Sequence, residues 1–417
     1  MNVRSLSITL AVALASALLL SPHAIAAGYN QTNLVANTNA YGAAIVDPTL
    51  INAWGIAIRP AGLGGHFWVT ANGTGQSTQW VGDVGGFALY QDELRVVSVP
   101  GPVTGPGVTP SQPMVTPGTP TGVAFNGGDK FRITQGSIVD SPARFLFATD
   151  NGVISGWTER KNADGSFDRP FNAKTVIDAS GAGVQFFGLG LDEKGGRLYA
   201  ANFGSNPGMM VYDSAFNDIS GRAGFTNPFV ADGYQPFNVQ TIGDSAFVAY
   251  AKWGTSGEEE AGDGFGRIAE FAFDGTLTRV WGDGSGLNAP WGVAFAPASF
   301  GEFSGHLLIS NFGDGTIAAY DPTTHAFAGK LRDANGNVIA IEGIWGLQFG
   351  NGASLGEANR LYFAAGPEDE TAGLFGHLAA VPEPSTYAML LLGLAGVGIL
   401  ARRRAALGGE MAGKLLL

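Results

Sequence analysis

The 417-residue chain contains no cysteine, which excludes disulfides, thiolate metal sites and a cysteine nucleophile together. Charge is sparse as well: Asp, Glu, Lys and Arg make up 14% of the residues, and 23 basic side chains face 35 acidic ones for a net charge of −12. A surface so acidic repels phosphate backbones, and no nucleic-acid partner is expected. Histidine is scarce at five residues, which leaves few imidazoles for general acid–base chemistry. What the chain has in excess is glycine, at 64 residues. In a helix each would cost roughly 1 kcal/mol relative to alanine, so the composition points to short strands joined by tight turns.

Two apolar runs mark the ends. Residues 1–26 hold Arg4, an apolar stretch from Leu10 to Leu20, and the small-x-small sequence Ala24-Ile25-Ala26. That is the pattern of a signal peptide cut before Ala27. At the other end, Val381-Pro382-Glu383-Pro384-Ser385-Thr386 precedes an apolar run from Tyr387 to Ala401 and the cluster Arg402-Arg403-Arg404. Motif, apolar run and basic cluster in that order resemble the PEP-CTERM sorting signal. The run is shorter than the ~20 residues of an ordinary spanning helix, and the arginines would hold its end on the cytoplasmic side. It reads as a transient membrane anchor, with a permanent tether as the alternative. The resemblance implies an exosortase-type membrane protease as partner, acting near Pro382, Glu383 and Pro384. It also implies a path from an inner-membrane intermediate to the cell surface or extracellular matrix of a Gram-negative bacterium, where extracellular polysaccharide is a further expected partner. The chain thus divides into a signal peptide (1–26), one body (27–380), the sorting signal with its short span (381–404) and a tail (405–417) longer than the family's usual few residues.

The body exceeds the size, about 250–300 residues, at which one hydrophobic core suffices, and its internal repeats show how a larger core is distributed. An aromatic residue or its substitute, then Gly, then an alternating strand recurs at Trp54-Gly55, Thr121-Gly122, Phe187-Gly188, Trp291-Gly292 and Trp345-Gly346, with a degenerate copy at Phe237-Asn238. A second strand follows each anchor: His66 to Thr70, Arg144 to Thr149, Arg197 to Asn202, Ala246 to Tyr250, His306 to Asn311 and Arg360 to Ala364. Third strands follow a glycine, as in Gly152 to Trp157, and fourth strands precede the next anchor, as in Arg95 to Ser98. Period-2 alternation with regularly spaced turns is the signature of antiparallel sheet. The last repeat has only three strands of its own, ending at Ala379, so the stretch from Thr32 to Ala36 is expected to complete it and close a ring. The fold class is therefore all-β: a six-bladed β-propeller closed by the N-terminal strand, with an N-terminal signal helix and a short C-terminal apolar helix. The proline-rich segment from Pro100 to Pro120 reads as a loop. Residues 29–380 resemble NHL-type six-bladed propellers. They also resemble an uncharacterised PEP-CTERM-bearing bacterial family with an N-x-W-G-I opening, here Asn52-Ala53-Trp54-Gly55-Ile56; that family implies no established activity.

Several motifs carry chemistry in other settings. Gly352-Ala353-Ser354-Leu355-Gly356 has the spacing of a nucleophile elbow, but that device needs a strand before it and a helix after it, and a strand follows here. Oxygen ligands of the kind calcium takes occur in Glu258-Glu259-Glu260 with Asp263, and at Asp283, Asp314 and Asp333. None completes an EF-hand, Asp-Gly is also a standard turn pair, and no metal or other cofactor is assigned. Tryptophans 54, 291 and 345 fall where the chain starts its innermost strand; they pack blades together or present flat faces to a ligand. In an antiparallel blade the start of the first strand and the end of the second lie at one end. Asn52, Trp54, Asn72, Asp150, Asn202, Lys252, Asn311, Glu342 and Glu368 are therefore expected around one mouth of the channel, with His66 and His306 at the other. The function this supports is a surface or matrix propeller that binds a saccharide or other small ligand at that mouth without catalysis. The alternative is a metal-assisted hydrolase or lactonase, or a lyase, built on the acidic loops.

Overall fold

A computed structural model describes residues 28–103, 115–381, 393–394, 396–400 and 402. Six antiparallel sheets stand around one axis, and the innermost strand of each contacts the innermost strand of the next until the ring closes. From the axis outward, blade I is Ala53–Ala57, Phe67–Ala71, Gln76–Trp80 and Val96–Ser98. Blade II is Pro120–Phe125, Phe145–Thr149, Val153–Trp157 and Lys174–Asp178. Blade III has Phe186–Asp192, Arg197–Asn202 and Gly208–Asp213. Blade IV has Tyr234–Ile242, Ser245–Trp253, Gly266–Ala272 and Leu277–Trp281. Blade V has Pro290–Phe295, Leu307–Asn311, Ile317–Tyr320 and Phe327–Lys330. Blade VI has Ile344–Phe349, Arg360–Ala365 and Leu374–Ala380, and its outer strand is Tyr29–Ala36 from the other end of the chain.

That last pairing is the expected closure. Tyr29 lies opposite Ala380 and Ala36 opposite Leu374 in an antiparallel register with one bulge. Tyr29 also fastens the closed blade to its neighbour: its hydroxyl donates to the Phe300 carbonyl at 2.9 Å and accepts from the Phe303 N–H at 3.1 Å, and its ring lies 4.7 Å from that of Phe300.

The core is divided among the gaps between blades. Between I and II, Trp68 stacks on Phe145 at 4.2 Å and meets Trp157 at 4.7 Å; comparable clusters fill the other five gaps. The anchor glycines are explained by crowding at the axis. A Cβ on Gly55 would lie 2.5 Å from the Thr121 carbonyl oxygen, one on Gly292 2.6 Å from that of Trp345, and one on Gly346 2.5 Å from that of Trp54. Each marks a place where one blade's backbone touches the next, so a side chain there would push the ring open. Polar side chains latch the same seams: Thr70 Oγ1 donates to the Thr121 carbonyl (2.8 Å), Thr121 Oγ1 to Phe186 (2.7 Å) and Ser310 Oγ to Trp345 (2.5 Å). Asn238, the substitute for glycine in the degenerate repeat, donates from Nδ2 to the Trp291 carbonyl at 2.7 Å. Its side chain makes the latch itself.

Three local features depart from expectation. Blade III has no fourth strand; the chain there forms 3-10 turns at Ser220–Arg222 and Val230–Asp232, and Phe225 and Phe229 pack on Tyr199 and Tyr250 in its place. The proline-rich segment is not wholly loop. Pro100–Val103 pairs with Val115–Pro117, an arrangement open to proline because a two-stranded ribbon leaves an outer edge on each strand where no N–H is needed. Blade II also carries a hairpin, Arg132–Gln135 with Ile138–Pro142, and a short ribbon, Arg160–Lys161 with Phe167–Asp168. The segment 1–26 expected to be a signal peptide, Pro382, Glu383, Pro384, Arg403, Arg404 and the tail 405–417 lie outside the described residues. Helix is described at 393–394, 396–400 and Arg402, and among the described residues no helix is long and apolar enough to cross a membrane.

Candidate functional site

The residue before the anchor glycine, or before Asn238 in blade IV, is aromatic in five blades: Trp54, Phe187, Phe237, Trp291 and Trp345. These rings cross the axis and stop the channel. Trp54 stacks on Trp345 at 3.7 Å and meets Phe187 and Trp291 edge-on at 5.6 and 6.2 Å; Phe312 stacks on the other face of the group, 3.9 Å from Trp345. The Trp291 Nε1 donates across the channel to the Phe187 carbonyl at 2.9 Å. Each aromatic pair contributes about 0.5–1.5 kcal/mol beyond the burial of its area. The three tryptophans are 4% exposed or less, so the flat faces anticipated for a ligand are largely spent on one another. They form a plug that serves as a rigid floor.

The polar residues expected at this mouth divide into those that bond to one another and those held by their own blade. Asn52, at a left-handed φ of 49°, accepts from Trp345 Nε1 at 3.1 Å and donates from Nδ2 to Glu370 Oε2 at 2.6 Å. Asn72 donates to Asp150 Oδ2 at 2.9 Å, and Thr119 donates to Asp150 Oδ1. Glu342 accepts the Glu368 N–H at 3.0 Å, and Glu368 accepts from the Tyr41 hydroxyl at 2.8 Å. Asn202, Lys252 and Asn311 bond to none of these. Asn202 accepts from the Gln185 and Gly204 N–H groups and donates to the Ser205 carbonyl. Asn311 likewise accepts from Asn288 N–H and donates to the Gly286 carbonyl. Both brace the turn that leads into their own inner strand. Lys252 donates to the Asp232 carbonyl and lies over the Tyr234 ring at 5.0 Å.

Carboxylates dominate the electrostatics. Glu368, Asp369 and Glu370 have successive φ values of 58°, 50° and 66°, a left-handed turn that costs roughly 1–2 kcal/mol per residue without glycine. Burial raises the Glu370 carboxyl above its ordinary range; the Asn52 bond opposes this, and the charges of Asp150, Glu258 and Asp369 add to it. Asp150 is raised by burial against the hydrogen bonds from Thr119 and Asn72. Glu259 is pushed up to about 7 by burial, with repulsion from Glu370 and Glu258 added. Among the described residues, none of Asp150, Glu259 and Glu370 takes part in an ion pair. Sequence reasoning missed Glu370. The only signal was a run of three acids in a turn without glycine.

The other motifs resolve into local structure. Asp283 accepts the Ser285 N–H at 2.9 Å; Asp314 accepts that of Thr316 at 3.0 Å and pairs with Lys330 at 2.8 Å. Asp333 accepts from Asn335 and Asn337 at 2.8 and 2.9 Å. Hydrogen bonds from their own turns hold Asp283 and Asp333 below the ordinary carboxylate range. Among the described residues, no three His, Asp or Glu are placed to hold a metal. Ser354 sits in a turn where Asn351 Oδ1 accepts three successive N–H groups, between the strands Ile344–Phe349 and Arg360–Ala365. His66 is buried with Nε2 at 2.9 Å from Asp92, and burial lowers its pKa. His306 Nδ1 lies 3.2 Å from the Ser304 carbonyl.

Residues 380–404 match the PEP-CTERM protein-sorting motif. The C-terminus carries a PEP-CTERM sorting signal. Such a signal is recognised by exosortase, which makes this an exported protein of the cell surface or extracellular space. Over most of its length the chain is similar to two uncharacterized proteins of Acanthamoeba polyphaga mimivirus. R648 is 29% identical over 354 residues, covering 84% of this chain and 78% of the relative. L690 is 29% identical over 367 residues, covering 86% and 87%. Among solved structures, a Bacteroides thetaiotaomicron protein of unknown function matches at 12% identity and a TM-score of 0.43, covering 79% of this chain and 70% of that one. A glucose dehydrogenase matches at 12% identity and a TM-score of 0.41, covering 84% and 100%.

Proposed function

We propose that this protein is a non-catalytic binding module of the cell surface or extracellular matrix, and that its ligand sits on the aromatic floor at the acidic mouth. In this reading residues 1–26 are removed as a signal peptide, residues 27–380 form the module, and the segment 381–404 is a transient membrane anchor. The observation that carries the binding reading is the set of half-buried, mutually repelling carboxylates, Asp150, Glu259 and Glu370, left without a cationic partner among the described residues. Holding like charges together out of water is unfavourable, and a ligand bearing a positive charge relieves it. Asn52, Asn72 and the carboxylates also offer hydrogen bonds to hydroxyls. Of the expected saccharides and small ligands, the mouth therefore favours an amino sugar.

Titration calorimetry with glucosamine tests this reading. Asp150→Asn and Glu370→Gln should each weaken binding at least tenfold, about 1.4 kcal/mol, and N-acetylglucosamine, whose amine is capped, should bind more weakly than glucosamine to the unaltered protein. Equal binding of the two sugars, or no binding of glucosamine, would remove it.

A further inference from the structure

Beyond the plug lies a cavity of about 340 Å³, lined by the inner strands and by Glu193, Lys194, Gly243 and Asp244 of the turns that follow them. All six blades contribute: the inner strands of I, II, III, IV and VI form its wall, and Trp291 of blade V is part of its lining. We propose that this cavity is a second binding site, for a neutral mono- or disaccharide, separate from the acidic mouth.

The first argument is backbone chemistry. Every innermost strand is the last of its sheet, so one of its edges has no strand partner and turns towards the axis. Backbone N–H and C=O groups at such an edge require partners; side chains of the neighbouring blade meet some of them, as Gln240 meets Val293 N–H and Thr241 meets Leu191 N–H, and the cavity is where the rest can be met. A ligand dense in hydroxyls, each both donor and acceptor, can replace the water that otherwise serves them.

The second argument is the side-chain inventory. Gln240 accepts the Val293 N–H through Oε1 at 3.3 Å, which leaves its amide N–H₂ uncommitted. Gln348 donates from Nε2 to the Phe349 carbonyl at 3.0 Å, which leaves its amide oxygen. Thr241 Oγ1 accepts from Leu191 N–H at 3.3 Å and keeps its proton to donate. The wall thus offers neutral donors and acceptors side by side.

The acidic side chains of the rim are held by local bonds. Asp192 accepts the Gly195 N–H at 2.7 Å, Glu193 accepts that of Gly127 at 2.7 Å, and Asp244 lies 3.6 Å from Lys194 Nζ. With Asp192, Glu193 and Asp244 against Lys194, the rim is acidic and disfavours an anionic ligand. The volume lies at the lower end of the ~300–1,000 Å³ usual for small-molecule sites, which suits one or two sugar rings.

The test uses saturation-transfer NMR and calorimetry on the full chain with glucose and maltose, and with gluconate as the charged counterpart. Glucose or maltose should bind and gluconate should not. Gln348→Trp, which fills the channel, should weaken binding at least tenfold, while Asp150→Asn at the other mouth should leave it unchanged. Should Gln348→Trp fail to fold, Gln240→Leu, which removes the free amide without adding bulk, should give a loss in the same direction. No transfer to either neutral sugar, binding insensitive to the channel variants, or binding lost in Asp150→Asn would each overturn the proposal. Because glucosamine reports on the acidic mouth and glucose on the channel, either site can fail without the other.

Discussion

Glu259 shows how much can hang on one side chain. It belongs to a two-residue strand, Glu259–Glu260, paired with Lys252 and Trp253 of blade IV, yet the charges that repel it include Glu370 of blade VI. With a folded pKa near 7 against an ordinary 4.5, it binds its proton more tightly in the folded state than in the unfolded one. The stability that goes with that proton is fully present below about pH 4.5 and is lost as the pH rises through about 7. Glu259→Gln, a permanently neutral substitute, should therefore stabilise the protein above pH 7 by about 1 kcal/mol, the full shift being discounted because the side chain is partly open to solvent, and should change little at pH 4. Chemical denaturation of both forms at the two pH values checks this; an equal gain at both would mean that charge is not the cause. In the sequence Glu258 to Glu260 read only as oxygen ligands of the kind calcium takes, because closeness to Glu370 exists only once the ring has formed. The expectation that Asn52 and Asp150 share one mouth was legible from strand polarity alone. That Asn202 and Asn311 are occupied by their own backbone was not, since it depends on turn geometry.

At the level of elements, the repeats made the blades readable. An anchor glycine is required wherever neighbouring backbones touch at the axis, and that requirement leaves the same mark in five repeats and a compensated one at Asn238. The outer edges of the blades carry no such constraint, so blade III could give up its fourth strand and blade II could gain a hairpin and a ribbon without altering the pattern near the axis. The closing strand is the element on which the ring most depends. Removing residues 27–40 should expose the outer edge of Leu374–Ala380 and the aromatic bed of Phe300 and Phe303, producing aggregation or a large fall in melting temperature. The milder change Tyr29→Ala should cost about 3–5 kcal/mol, as aromatic truncations in cores do. Light scattering and thermal melts distinguish these outcomes from a truncated form that stays monomeric and equally stable, which would mean that the strand is dispensable.

For the whole molecule, where the protein goes was more legible than what it binds, because a sorting signal is a linear pattern and a binding site is a spatial one. Deleting residues 382–417, or replacing Arg402, Arg403 and Arg404, should divert the protein from the surface to soluble secretion. Fractionation of cells expressing each form reads this directly, and undiminished surface retention of the truncated chain would assign sorting to the propeller itself.

The seam at Tyr29 and Ala380 also governs when the molecule becomes whole. Val381 N–H reaches back to the Gly28 carbonyl at 3.0 Å, so the closing register ends one residue before the Pro-Glu-Pro motif. Five blades can assemble from contacts made as the chain arrives. The sixth must wait for its last strand and then recover the first from across the entire sequence, the kind of long-range step that is slow to form. The strand that completes the ring is followed immediately by the segment that directs sorting. Completion of the fold and presentation of the address are thus set close together, and a chain interrupted before Leu374 would carry neither a finished ring nor a destination.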